Sequence, residues 1–143
     1  MASVPLLPKR KRFYSYDEKR KQRKKIYNSS QWKNLRLTHL QIEPLCAVCL
    51  KLGKVTAGED VHHIKSFMTS SSLEEMNKQA FDSDNLVTLC HYHHSLLHSL
   101  DEFKNLEFKT SDELAEYIIN KEKEENIIEN IIKTNMDDIS NDK

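Results

Sequence analysis

The sequence predicts a small α+β domain stapled by metal, with two short strands set among helices. Three observations lead there. Of the 143 residues only 38% are apolar and 31% are charged, too few apolar side chains for a large self-sufficient core. The three cysteines, Cys46, Cys49 and Cys90, are an odd number, which argues against a purely disulfide framework. Six of the seven histidines fall in two short stretches, Val61-His62-His63-Ile64 and Asn85 to His98. That clustering marks two adjacent metal positions, one holding the fold together and the other facing a phosphate.

Formal net charge is zero, but its distribution is uneven. Residues 1–58 carry 14 Lys/Arg against 3 Asp/Glu, net +11, whereas residues 59–106 carry −5 and residues 107–143 carry −6. A basic first part points to a polyanionic partner, although an acidic tail can also fold back on a basic arm. No stretch reaches the length of a membrane helix. The start, Met-Ala-Ser-Val-Pro followed by Lys9-Arg10-Lys11-Arg12, has no apolar signal core. A soluble, reducing, intracellular setting is expected.

Residues 1–25 are expected to form a basic, largely flexible arm. Residues 1–12, with two prolines and no periodicity, read as disordered. Ser15 to Lys25 can form a charged helix opened by Asp17-Glu18. Its cations Lys19, Arg20, Lys21, Arg23, Lys24 and Lys25 suit phosphate contact as well as a solvated face. Asn28 to Leu40 reads as an amphipathic helix capped by Ser29 or Ser30, with Trp32 as a core anchor.

After Pro44, Cys46 and Cys49 lie two residues apart in a turn, a spacing that suits one Zn²⁺ or a redox pair. Turn residues follow, including both glycines, Gly53 and Gly58. Asp60 to Ile64 reads as a strand, so His62 and His63 should point to opposite faces. A polar segment with a helix start at Ser72 leads to a second strand, Leu86 to Leu89, closed by Cys90.

From His91 the pattern becomes helical. Cys90 and His93 repeat the two-residue spacing with an imidazole in place of one sulfur, so Cys46, Cys49, Cys90 and His93 make a tetrahedral three-sulfur, one-nitrogen set. His91 competes for the fourth place. His94 and His98 lie four apart on one helix face, and one strand histidine opposite them completes three nitrogens around a second cation. Three protein ligands leave a coordination position open, as in catalytic sites. The other strand histidine stays free, and a neutral imidazole can take a proton from water.

Residues 107–143 read as an acidic helical extension with a capping box at Thr110 and Glu113 and a mobile end.

Cys46-x2-Cys49, the Val-His-His-Ile strand, Asn85-Leu86 and Leu89-Cys90-x2-His93-His94 through His98 together resemble the HNH endonucleases. The lead-in Ser-Ser-Gln-Trp-Lys-Asn-Leu-Arg is similar to that of phage-type members. The match covers roughly Tyr27 to Ser99, inside an expected nuclease domain of residues 26–106. The resemblance implies a ββα-metal fold with a structural Zn²⁺ and one catalytic divalent metal. It implies His63 as general base and Asn85 as the residue holding its loop. His62, His94 and His98 would bind the catalytic metal, as in the three-histidine site of colicin-type DNases. Lys33, Arg36 and the 19–25 run would grip phosphates without reading sequence.

Many relatives carry Asp at the place of His62 and Cys at that of His93. The first change tilts preference toward Ni²⁺, Mn²⁺ or Zn²⁺ over Mg²⁺. The implied activity is hydrolysis of DNA phosphodiester bonds, by nicking or double-strand cutting, with little sequence specificity. A phage packaging role beside terminase or portal proteins is compatible with it, and the chain can be a monomer or a homodimer. The alternatives are a non-catalytic zinc-stapled DNA-binding module, which has no physical need of a His-His pair, and an interaction subunit acting through the acidic tail.

Overall fold

The computed structural model describes residues 14–100 and 106–140, with side chains through residue 133. The disordered start expected over residues 1–12 lies outside the described residues, and the mobile last residues fall at or beyond their limit.

Helix α1, Tyr16–Asn28, begins at a capping box. The Ser15 hydroxyl accepts from the Glu18 N–H while the Glu18 carboxylate accepts from the Ser15 N–H, at 3.2 and 2.9 Å. Asp17 and Glu18 sit in its first turn and Lys25 in its last, complementing the helix dipole. The helix runs through position 25 without a break and buries Ile26. Ser29 both ends α1 and caps α2, Ser30–Ile42, accepting from the Trp32 N–H at 3.1 Å. A short helix α3, Ala47–Lys51, follows Cys46 and ends at Gly53, whose φ of 73° suits a residue without a Cβ.

Strands β1, Asp60–His63, and β2, Leu86–Leu89, form an antiparallel pair. Helix α4, Leu73–Ala80, capped by Ser72, lies between them in sequence. Helix α5, His91–Ser99, starts one residue after β2, with Cys90 as the joint. Helix α6 is a single continuous element over Ser111–Ser140. Its Thr110 hydroxyl accepts from the Glu113 N–H, but the Glu113 carboxylate accepts from the N–H of Lys109 rather than that of Thr110.

The pairing register puts Asp60 opposite Leu89, His62 opposite Val87 and His63 opposite Leu86. Directly paired residues share a sheet face. Asp60 and His62 therefore share one face of the ribbon, and His63 points to the other. Two apolar clusters result. One surrounds the cysteine turn and takes in Val48, Val87, Leu89 and Leu97 together with Leu114 and Ile118 of α6. The other, Ile26, Phe67, Met76 and Ala80, joins α1 to α4. Both ends of the described chain thus dock on the strand–helix centre, because a ribbon of two strands cannot cover its own faces.

Hydrogen bonds tie the segment before the cysteine turn to the ribbon and to the loop that leads into it. Gly58 N–H donates to Pro44 O at 2.7 Å, and the buried Thr88 hydroxyl donates to Glu43 O at 2.7 Å. A Cβ on Gly58 would fall on the Thr88 Cγ2 methyl and press on Pro44 O at 3.2 Å. Gly58→Ala should therefore destabilise the fold by about 1–3 kcal/mol. The check is a lowered thermal midpoint at unchanged zinc content; an unaltered midpoint would show that Thr88 moves aside freely.

Candidate metal centres and active site

Cys46, Cys49, Cys90 and His93 are brought together from α3 and from the β2–α5 joint, all of them buried. His93 Nδ1 lies 3.4, 3.5 and 3.3 Å from the sulfurs of Cys46, Cys49 and Cys90, and Cys49 Sγ is 4.0 Å from Cys90 Sγ. A tetrahedral zinc, with bonds of about 2.3 Å to sulfur and 2.0 Å to nitrogen, requires separations of about 3.5 and 3.8 Å. The donor set fits. Burial and the neighbouring thiols push Cys90 up to about 11, so without a cation its sulfur keeps its proton. A metal ion replaces such protons on binding, which couples the site to folding. His91, the competing fourth ligand, is not part of this set: its side chain is 78% exposed, with Nδ1 3.4 Å from Asp60 Oδ2.

The outer nitrogen of His93 faces a residue the sequence did not flag. His93 Nε2 is 3.8 Å from Glu122 Oε2 on α6, and Glu122 Oε1 accepts from the Tyr92 hydroxyl at 3.1 Å. A carboxylate behind a ligating imidazole fixes its tautomer and orientation. Glu122 lies 29 positions along the chain from His93, so no local spacing reveals it.

His62, His94 and His98 converge as a second cluster, with one ring nitrogen of each within 4.8 Å of the others. His94 Nε2 and His98 Nε2 are 3.0 Å apart, against about 3.3 Å for two nitrogens bound to one tetrahedral zinc-sized ion. Burial first, then the neighbouring histidines, pushes His62 down to about 3. Burial likewise lowers His94 and His98. Three neutral imidazoles with converging lone pairs suit a divalent cation.

Asp60 stands behind this cluster. Its Oδ2 is buried without a hydrogen bond of good geometry and lies 3.4 Å from His94 Nδ1. It is placed behind His94 as Glu122 is placed behind His93. A signal existed in the sequence: Asp60 and His62 are two apart on a strand, hence on one face.

His63 occupies the other face and is buried. Its ring stacks on Trp32 at 4.8 Å between centroids and meets Phe67 edge-on at 4.9 Å. His63 Nε2–H donates to Ala80 O at 3.0 Å, since a carbonyl can only accept. Nδ1 is then the nitrogen with the free lone pair. Burial lowers the His63 pKa, opposed by the Ala80 hydrogen bond, so the ring is neutral near pH 7. Trp32 is thus the wall that orients His63 as well as a core anchor.

The Asn85 side chain makes three hydrogen bonds. Its Oδ1 accepts from Lys65 N–H at 2.8 Å, and its Nδ2 donates to Lys65 O at 2.9 Å and Gln79 O at 3.2 Å. It ties the end of β1 to the last turn of α4, whose Ala80 carbonyl holds His63.

His62, His63 and His98 all line one cleft of ≈ 670 Å³, with Arg20 and Arg23 of α1 on its wall. The other expected phosphate residues divide. Lys19 Nζ donates to Met68 O at 3.4 Å and Arg36 Nη2 to Glu59 O at 2.8 Å, so both brace the fold. Lys21, Lys24, Lys25 and Lys33 are exposed.

No family model matches the chain, and no curated protein matches it. Among solved structures, the chain is similar to the HNH endonuclease of the deep-sea thermophilic bacteriophage GVE2, determined with manganese ion. The two share 28% identity at a TM-score of 0.53, over 62% of this chain and 91% of that one. The resemblance to HNH endonucleases carried by the motifs is therefore shown by the fold as well: helices around a two-stranded antiparallel ribbon, with a Cys46/Cys49/Cys90/His93 cluster able to hold zinc.

Two outcomes follow from this geometry. Purified protein should carry close to one zinc per chain, and Cys90→Ser should lose it and melt cooperatively at much lower temperature, read by elemental analysis and circular dichroism. Asp60→Asn should weaken Mn²⁺ binding at the three-histidine cluster by about 10–100-fold at unchanged zinc content. Equal Mn²⁺ affinity by titration calorimetry would remove Asp60 from that role.

Proposed function

We propose that this chain is a metal-dependent HNH endonuclease that hydrolyses DNA phosphodiester bonds, with its working centre on residues 26–106. One observation carries the reading: the unprotonated nitrogen of a buried, neutral His63 belongs to a ring lining the same cleft as His62 and His98 of the three-histidine cluster.

His63 Nδ1 accepts the proton of the attacking water as its oxygen bonds to phosphorus. The Ala80 carbonyl holds Nε2–H throughout and favours the imidazolium that forms. Asn85 keeps that carbonyl in place through Gln79, so its part is positional. His62, His94 and His98 would hold the divalent cation. A cation bound there supplies charge neutralisation to the scissile phosphate and the departing 3′ oxygen. Arg20 and Arg23 grip neighbouring phosphates and carry no base readout. Neutral ligands in place of a carboxylate favour Mn²⁺, Ni²⁺ or Zn²⁺ over Mg²⁺. The phage source of the similar enzyme supports a phage setting, with DNA packaging beside terminase or portal proteins as the accompanying role.

The test is conversion of supercoiled plasmid to nicked or linear forms with Mn²⁺, Mg²⁺ or Ni²⁺. His63→Ala should lower the rate by about 10²–10⁴-fold, the usual contribution of a general base, while retaining zinc. Full activity in that variant would remove the general-base role. DNA binding without cleavage under all three metals would instead leave a zinc-stapled binding module.

A further inference from the structure

One face of α1 is built differently from the rest of the basic run. Tyr16, Arg20, Arg23 and Tyr27 recur at intervals of four, three and four residues, so they form a single stripe, and all four line the cleft beside the histidines. The stripe spans about 16 Å along the helix axis. The Arg23 guanidinium lies 5.3 Å from the Tyr27 ring centre and that of Arg20 lies 6.0 Å from Tyr16. The adjoining face of α1 fixes the helix on the body: Ile26 is buried with Phe67 and Met76, and Gln22 Nε2 donates to Asn77 Oδ1 at 2.7 Å. The cleft wall is therefore formed before any ligand arrives.

Its chemistry goes beyond what a phosphate backbone needs. Cations suffice for phosphates, yet the cleft is also bordered by Tyr16, 72% exposed, and Leu106, 44% exposed. Open aromatic and apolar faces beside guanidinium groups are what an unstacked base requires, because every base offers a π-face. In an intact duplex those faces are already stacked on one another. The ≈ 670 Å³ of the cleft is also within the size range of a small-ligand pocket, about 300–1,000 Å³, so it has room for a nucleotide.

We propose that the cleft between α1 and the segment following β1 holds an unpaired nucleotide next to the scissile phosphate, so that the chain cuts single-stranded or locally opened DNA in preference to intact duplex. Tyr16 provides the stacking surface, and Arg20 and Arg23 hold the flanking phosphates. This rests on the nuclease reading and names its substrate class.

The experiment compares Mn²⁺-dependent cleavage of three end-labelled probes: a single strand, its perfect duplex, and the duplex with an internal unpaired loop. Wild-type protein should cut the single strand and the loop at least tenfold faster than the duplex. Tyr16→Ala should lower kcat/KM on the two open probes about tenfold, the scale of one lost base–aromatic stack, and bring the open-to-duplex ratio toward one. Tyr16→Phe, which keeps the ring, should restore that ratio. Equal or faster cutting of the duplex by wild-type protein overturns the proposal, and so does a Tyr16→Ala effect of the same size on all three probes. Fluorescence anisotropy of the same probes, in manganese-free buffer, separates the two readings. Selective binding of open strands with no cleavage under any metal sinks the nuclease and keeps the cleft, whereas cleavage with no selectivity in rate or binding does the reverse.

Discussion

Three sulfurs and one imidazole facing a single point are the constraint on which the rest depends. Cys46 and Cys49 come from the turn before and within α3, whereas Cys90 and His93 come from the joint between β2 and α5. Satisfying that tetrahedron fixes not only where α5 begins but how it is rotated about its axis. Successive residues of a helix lie about 100° apart, so once His93 faces the sulfurs, His94 must face elsewhere, and His98 lies one turn beyond His94. One short helix thereby supplies side chains to both clusters. Burial keeps the Cys90 thiol protonated by itself, and a cation replacing that proton would tie the joint together.

The ribbon divides the chemistry in a second way. Alternation along β1 sends Asp60 and His62 toward α5 and sends His63 toward α2 and α4. The two neighbouring histidines meet unlike surroundings as a result. His62 lies among imidazoles that need a cation, and His63 lies against Trp32 with one nitrogen anchored on a carbonyl and the other left basic. The proposed base and the proposed ligands therefore stand on opposite faces of the ribbon. A one-residue slip of register would exchange these roles, which is why the Asn85 clamp at the end of the strand matters as much as the residues it positions.

The uneven charge acquires a structural meaning through the two terminal helices. The basic one lies along the cleft and gives it guanidinium groups, Arg20 and Arg23. The acidic one docks by Leu114, Ala115 and Ile118 against the cysteine turn, where Lys51 meets Glu116 at 3.1 Å and Glu122 stands behind His93. Each helix is held by its apolar residues, and its charged residues then act on one site, the cleft for α1 and the zinc knuckle for α6.

By itself the sequence determined the donors and their local spacings. Residues two to four apart on a turn, a strand or a helix have separations set by backbone geometry alone, so Cys46 with Cys49, Cys90 with His93, and His94 with His98 could be paired on sight, and the helix starts at Ser29 and Ser72 could be read from the chain. Only the tertiary structure decided which carboxylate stands behind His93, which wall holds His63, and which two of eight expected cations reach the cleft. Glu122 and His93, Ala80 and His63, and Arg23 and His98 are separated by 17 residues or more. Their meeting depends on how whole helices pack, and no periodicity within one segment carries that information.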